Sequence, residues 1–465
     1  MAFILKYKRD LAAILFFFIL TVILTYPVFF QLNKAIPIAG GDVYQVAAKI
    51  NDQAYIFTQN GPFEGLVRIY SEGKLSMNTA AAICVRAGIP LLASYNLFFL
   101  FSFFASALGA YFLARYLTNN FLASLAAGII FAFAPFHVYH AMTGHSGTMH
   151  QEWLPFFVLF LWKWFDRRKA VFAALSFLFL VLIAVTEHHL LASTAIFIAL
   201  FIFYQIFIAW KLRDKIPLKK LAILTSGLFF VIAIFYGSYV KIATSDENYL
   251  NPGLSQVERY SMPLLDPLIT PPWHTFWPGL RIALTSAVEK YTPFHQKNIG
   301  EGNSSAYFGY ATILLFALVL FLYWRSKKKN GLKLDNIKIQ LFWLLVVLAF
   351  FVVSLGPSVA IGEHHIKAPY YLVYKFAPFF KNIRCYPFLD KSNSIIAQLR
   401  TFKVAFTNRD ITDAVLAQDF ISLPEISLFG VFFISGQIIQ QRANDRRVFL
   451  KIILSWQFPA GNNSA

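Results

Sequence analysis

Four short stretches of this sequence hold side chains able to move protons or to bind anions and metals. The sharpest is Ile36-Pro37-Ile38-Ala39-Gly40-Gly41-Asp42. Paired glycines let a backbone turn tightly and let a ligand come close. Asp42 beside them can accept a proton from a hydroxyl group, and partial loss of water would raise its basicity. The same Asp is also suited to capping a helix that starts at Val43.

The second stretch runs from Pro135-Phe136-His137-Val138-Tyr139-His140 through Gly144-His145 to Met149-His150-Gln151-Glu152-Trp153. His137 and His140 share a face if a helix continues that far. Imidazoles can be cationic near neutral pH and hold a phosphate. With Glu152 these histidines also form a loose metal-ligand set that lacks a tight zinc spacing. His145, in a Gly-rich loop, is the candidate for binding; His137 suits packing. The third stretch, Glu187-His188-His189, joins two apolar runs with almost no loop. Ionisable groups near headgroup depth are costly and usually face a cavity or a partner; a hairpin turn exposed to water is the competing reading. The fourth is Arg384, which follows a Pro-containing aromatic stretch. It could grip a phosphate in bidentate fashion, although an isolated Arg at an interface also snorkels.

The elements that must position these groups are membrane helices. Of 465 residues, 58% are hydrophobic, 18% aromatic and 14% charged, against about 25% charged in an ordinary soluble domain. With 52 Phe and a mean hydropathy of +0.57, a water-soluble fold is excluded. The reading is an all-α, polytopic transmembrane helical bundle. Apolar runs of the length a helix needs to cross the hydrocarbon layer fall at 11–30, 92–114, 121–138, 153–165, 170–187, 190–210, 221–241, 306–324 and 340–358. The fourth of these is short. The first follows Lys6, Lys8 and Arg9 but is too long for a signal-peptide core, and is expected to be a retained span.

The net charge of +18 falls in clusters between spans, so it speaks for topology and against a nucleic-acid partner. Nineteen Lys and Arg residues lie in alternate connections, whereas the short loops 139–152 and 187–189 have none. Such clusters resist translocation. The N-terminus is therefore expected in the cytoplasm of a cell-membrane protein, with all ten histidines on the outer side. Two outer loops are long. Loop 31–91 carries Val43, Val46, Ala47, Ile50, Ala54 and Phe57 at helical spacing, a stripe expected to lie on the membrane surface. Loop 244–304 is too rich in Pro to be one helix. Cys84 and Cys385 show no metal or disulfide pattern.

The constellation resembles the GT-C superfamily of integral-membrane glycosyltransferases, in particular uncharacterised prokaryotic YfhO-type members, over roughly residues 11–384. The resemblance rests on Gly40-Gly41-Asp42, on Ser94-Tyr95-Asn96-Leu97 leading to Gly109-Ala110-Tyr111, and on Phe131-Ala132-Phe133-Ala134-Pro135 leading to His145 and Trp153-Leu154-Pro155. Tyr307-Phe308-Gly309-Tyr310 and Ser354-Leu355-Gly356-Pro357 continue it. The resemblance implies transfer of a sugar from a polyprenyl-phosphate carrier to an acceptor on the extracytoplasmic face. It implies Asp42 as catalytic base; the reading of the residues themselves adds His145, Glu187, His188 and Arg384 as substrate-binding groups. A divalent cation is compatible with this chemistry, although the sequence identifies none.

After Arg384 the sequence departs from that pattern. Residues 385–465 form an atypical, mixed polar tail, for which one hypothesis is a disrupted reading frame near residue 385; an intact frame in the source DNA would remove it. Two other functions compete: a transporter or flippase of lipid-linked sugars, which would place its ionisable groups near mid-membrane on broken helices, and a non-catalytic membrane assembly factor.

Overall fold

The computed structural model describes residues 2–37, 42–213, 215–243, 278–291, 334–361 and 364–376, with isolated positions between 254 and 269. Most of loop 244–304, the predicted span 306–324, Arg384 and the tail 385–465 lie outside the described residues.

The first apolar run forms α1 (Ala2–Leu24). It stops before Pro27, which cannot donate to a continuing helix, and one 3-10 turn at Val28–Gln31 follows. The first helix thus begins earlier and ends sooner than the predicted 11–30. Much of loop 31–91 is itself helical, as α2 (Val43–Ser71) and α3 (Met77–Arg86). α2 kinks at Gly61, whose φ of 76° and ψ of 175° lie outside the helical region. Its stripe Val43, Val46, Ile50, Ala54 and Phe57 does not lie on a membrane surface. It is buried in a core shared with Ala81 and Ala82 of α3 and with Tyr95 and Phe99 further along the chain. What α2 and α3 leave exposed is Tyr55, Phe63, Leu66, Val67 and Ile83.

Next come α4 (Leu91–Thr118), α5 (Phe121–Ala132), α6 (Pro135–Thr143) and the single turn α7 (Ser146–Met149). Hydropathy runs unbroken through 121–138, but Pro135 opens a new helix at its first position, where a missing N–H costs nothing. α8 (Trp153–Arg167), α9 (Ala170–Thr186), α10 (His188–Leu212) and α11 (Leu218–Ala243) follow, then α12 (Pro278–Tyr291) and α13 (Leu334–Ser354). Among the described residues, four stretches are long and apolar enough to cross a membrane: Leu91–Thr118, Phe121–Thr143, His188–Leu212 and Leu218–Phe235. α8 has 15 residues and α9 has 17.

The all-α expectation needs one correction. Where the last span was expected to reach residue 358, the chain turns at Gly356 (φ 75°) and Pro357. It then forms an antiparallel hairpin of β1 (Ser358–Ile361) and β2 (His364–Lys367), with Ser358 opposite Lys367. Gly-Pro ends the helix, and β-branched Val359, Ile361 and Ile366 suit the extended backbone that follows. A short α14 (Tyr370–Phe376) comes next.

Two apolar cores meet along α4 and α5. One joins α1, α2 and α3 around Phe17, Ile50, Ile69 and Tyr111. The other joins α8 to α11 and α13 around Phe201, Phe342, Trp162 and Trp343, with the two indoles stacked at 5.8 Å. Gly128 on α5 faces the Phe17 ring and the Ala107 carbonyl, and a Cβ there would overlap both. Small residues at such crossings let apolar helices approach closely.

The two ends of the bundle differ in chemistry. At one, Tyr111 Oη donates to Asp10 at 2.6 Å with Arg115 4.0 Å from the same carboxylate. There too Tyr116 Oη donates to Asp166 at 2.7 Å. Lys220 Nζ donates to the Phe165 carbonyl at 2.9 Å, a cation at the C-terminus of α8 where the helix dipole favours it. The helix pairs that return from this basic end meet at the other, which holds His140, His145, His188 and His189.

Candidate functional site

The histidine end is built where the start of α2, the α6–α7 turn and the α9–α10 junction converge. The Asp42 backbone N–H donates to the Thr143 carbonyl at 2.9 Å. Gly144 caps α6 in the left-handed region (φ 75°) and lies against Val43 so closely that a Cβ would collide with it. This contact carries the first loop onto α6. Asp42 occupies the position before α2, yet its carboxylate makes no capping bond. Instead Oδ1 accepts from Gln45 Nε2 at 3.3 Å, and Oδ2 stands 3.9 Å from His145 Nε2.

His145 is also tied to α6. Its Nδ1 lies 2.8 Å from Nδ1 of His140, so one ring donates and the other accepts, and the acceptor ring is neutral. Burial pushes the His145 imidazole below its ordinary range, against the pull of the Asp42 and Glu187 carboxylates. His145 is accordingly a neutral hydrogen-bonding group at pH 7, beside two carboxylates.

Glu187 stands between α9 and α10 with extended backbone (φ −163°, ψ 133°). Its Oε1 accepts from the His188 N–H at 3.1 Å and lies 2.6 Å from His188 Nδ1. Oε2 packs against Gly147 of α7, where a Cβ would strike it. Burial pushes this carboxyl up, but His188 and His189 outweigh burial and hold it down at about 2, so the group is ionised. Glu187, His188 and His189 each offer one metal-ligating atom, all within 4.8 Å of one another.

Behind this cluster lies a second, buried one. His150 Nδ1 is 3.1 Å from Glu152 Oε1, with side chains 3% and 0% exposed. Gln151 is fully buried, and neither its amide oxygen nor its nitrogen has a hydrogen-bond partner among the described residues. His137 stacks on Phe103 at 4.2 Å and meets Ser102 Oγ at 3.2 Å. The four histidines of residues 137–150 therefore do not converge on Glu152 as one metal set. They divide between His140–His145, His150–Glu152 and His137–Ser102.

Of the residues singled out by sequence, Asp42, His145, Glu187 and His188 gather at one end, and Arg384 lies outside the described residues. Two further participants, His140 and His189, belong to stretches named from sequence without a binding role of their own, and a third, Gly147, was not singled out. His140 is placed by the left-handed turn at Gly144, and His189 was visible as part of the Glu-His-His tripeptide. Gly147 carries no sequence signal, because its role is the space it leaves for a carboxylate 40 positions on.

At 1.5 Å per residue, α8 and α9 rise only about 22 and 26 Å from the basic end to Glu152 and Glu187. A hydrocarbon layer is about 30 Å thick.

Residues 92–385, more than half of the chain, match the family described as Domain of unknown function (DUF6311), and the chain belongs to that family. No curated protein and no solved structure matches it.

Proposed function

We propose that this chain is a membrane glycosyltransferase of GT-C type. It would move a sugar from a polyprenyl-phosphate donor to an acceptor at the histidine end, with that end extracytoplasmic and the N-terminus cytoplasmic. The observation that supports this best is the pairing of Asp42, a carboxylate from the first long loop, with His145 at 3.9 Å, next to Glu187 and His188. A base and a set of hydrogen-bond donors then stand where a lipid-borne phosphate and a water-borne hydroxyl could meet.

In this reading Asp42 takes the proton of the acceptor hydroxyl as its oxygen attacks the anomeric carbon. The bond from that carbon to the phosphate oxygen breaks, and polyprenyl phosphate leaves with the electron pair. His145 and His188 donate hydrogen bonds to the departing phosphate, and Arg384 is proposed to join them. Donors aimed at a developing charge in a dry site lower the barrier more than they would in water.

The experiment is turnover of a labelled polyprenyl-phosphate sugar by full-length protein in liposomes, read as release of polyprenyl phosphate. Asp42→Asn keeps the shape and removes the base, so it should slow release by about 10²-fold or more. Release at the wild-type rate in that variant, from protein inserted normally, would reject Asp42 as base. The buried His150–Glu152 pair suits the transporter reading better. Movement of an intact labelled lipid-linked sugar across the bilayer, without release of polyprenyl phosphate, would favour it.

A further inference from the structure

We infer that Glu187, His188 and His189 form a site for one divalent transition-metal ion of the zinc class, with a coordination position left over for water or a phosphate oxygen. Two imidazoles and one carboxylate suit zinc, cobalt, nickel or copper. Magnesium and calcium ask for an all-oxygen shell. Three protein ligands rather than four are the pattern of zinc sites that keep a position open.

Backbone geometry explains how three consecutive residues can share one ion. Within a helix, neighbours point about 100° apart. Glu187, however, precedes α10 in extended conformation, so its carboxylate folds back over the first turn, where the His188 and His189 ring centroids are 4.0 Å apart. Zinc bonds of about 2.0–2.1 Å set tetrahedral ligands roughly 3.3 Å apart. The Glu187–His188 contact, at 2.6 Å, is a direct bond that has to open to about that spacing, and the whole trio lies within 4.8 Å. Small side-chain rotations would make both adjustments.

A second feature bears on the same carboxylate from another element. Gly147 on α7 leaves the space into which Glu187 Oε2 is packed. Around the trio stand further groups that set local charge: His145, which feels the Glu187 carboxylate and stands 3.9 Å from Asp42, and His140 on α6. The Glu187 carboxylate, which accepts from the His188 N–H, offsets the positive end of the α10 dipole, which would otherwise oppose a cation.

This assignment deepens the sugar-transfer reading, since a metal here would take the donor phosphate. It is tested without any donor, so the two readings fail separately. The probe is Co²⁺ added to full-length, metal-stripped protein in detergent, followed by its visible absorption and displaced by Zn²⁺. One Co²⁺ per chain is expected, with the intense absorption of a four-coordinate ion. Glu187→Gln, His188→Gln and His189→Gln should each weaken it by about tenfold or more. Gly147→Ala keeps all three ligands but pushes the carboxylate off its seat, and is expected to weaken binding as well. Lys49→Gln, exposed on α2 and outside the trio, is expected to leave binding unchanged. The proposal is overturned by the absence of saturable one-to-one binding, or by equal affinity in folded Glu187→Gln and Gly147→Ala proteins. Either result would make the trio an ion pair only.

Discussion

At the scale of single residues, several ionisable side chains, His137, His140, His150 and Glu152, are held away from water. The His150–Glu152 pair is almost fully buried. Removing one member of a buried pair leaves the other uncompensated, at a cost of about 3–5 kcal/mol, whereas replacing both by apolar groups is often neutral. His150→Leu should therefore lower the thermal stability of the purified protein sharply, and His150→Leu combined with Glu152→Leu should restore most of it. A double variant as unstable as the single one would show that the pair is held by more than mutual attraction. Gln151 gives the converse case. Its buried amide lacks a partner among the described residues, so Gln151→Leu, close to it in size, is expected to change stability by less than about 1 kcal/mol, or to raise it.

Secondary-structure elements carry the geometry of the site through two tight approaches. Gly144 holds φ at 75° while touching Val43. Gly144→Ala is therefore expected to cost about 1–2 kcal/mol for the left-handed backbone alone. It should also displace Asp42 from His145, lowering turnover further than stability. Differential scanning fluorimetry beside the release assay would separate the two effects. Long apolar runs made α4, α9 and α10 readable from sequence almost to their ends, because composition alone decides a helix that lipid must satisfy. The break before Pro135 was not readable, since hydropathy is continuous across it and only the backbone responds. The four-residue strands of the hairpin are too short to show a period. The stripe on α2 was read correctly as one face, but sequence does not say whether lipid or protein covers that face. Here α3 and α4 do. For the site, residue types and proximity to spans pointed to Asp42, His145, Glu187 and His188. Their joining depends on turns, and Gly147 shows how an absent side chain leaves no mark in a sequence.

For the molecule as a whole, the first question is orientation. If the histidine end faces outward, a cysteine at Lys74 should react with a membrane-impermeant maleimide in intact cells. Lys74 is about half exposed beyond α2, and the labelling would use a Cys84→Ser, Cys385→Ser background. Reaction only after permeabilisation would place Asp42 in the cytoplasm and remove the proposed transfer. The second question concerns the unequal heights of neighbouring helices. α4, with 28 residues, rises about 42 Å, while α8 and α9 beside it stop far short of that. If α8 and α9 cross the bilayer, lipid around the short pair would thin to keep their ends from stranding charged groups in hydrocarbon, and each ångström of mismatch costs a fraction of a kcal/mol. The bilayer would then dip locally beside Glu187, bringing the glycerol layer down to the carboxylate. Short-chain lipids would match that dimple at rest, and longer chains would have to be strained into it.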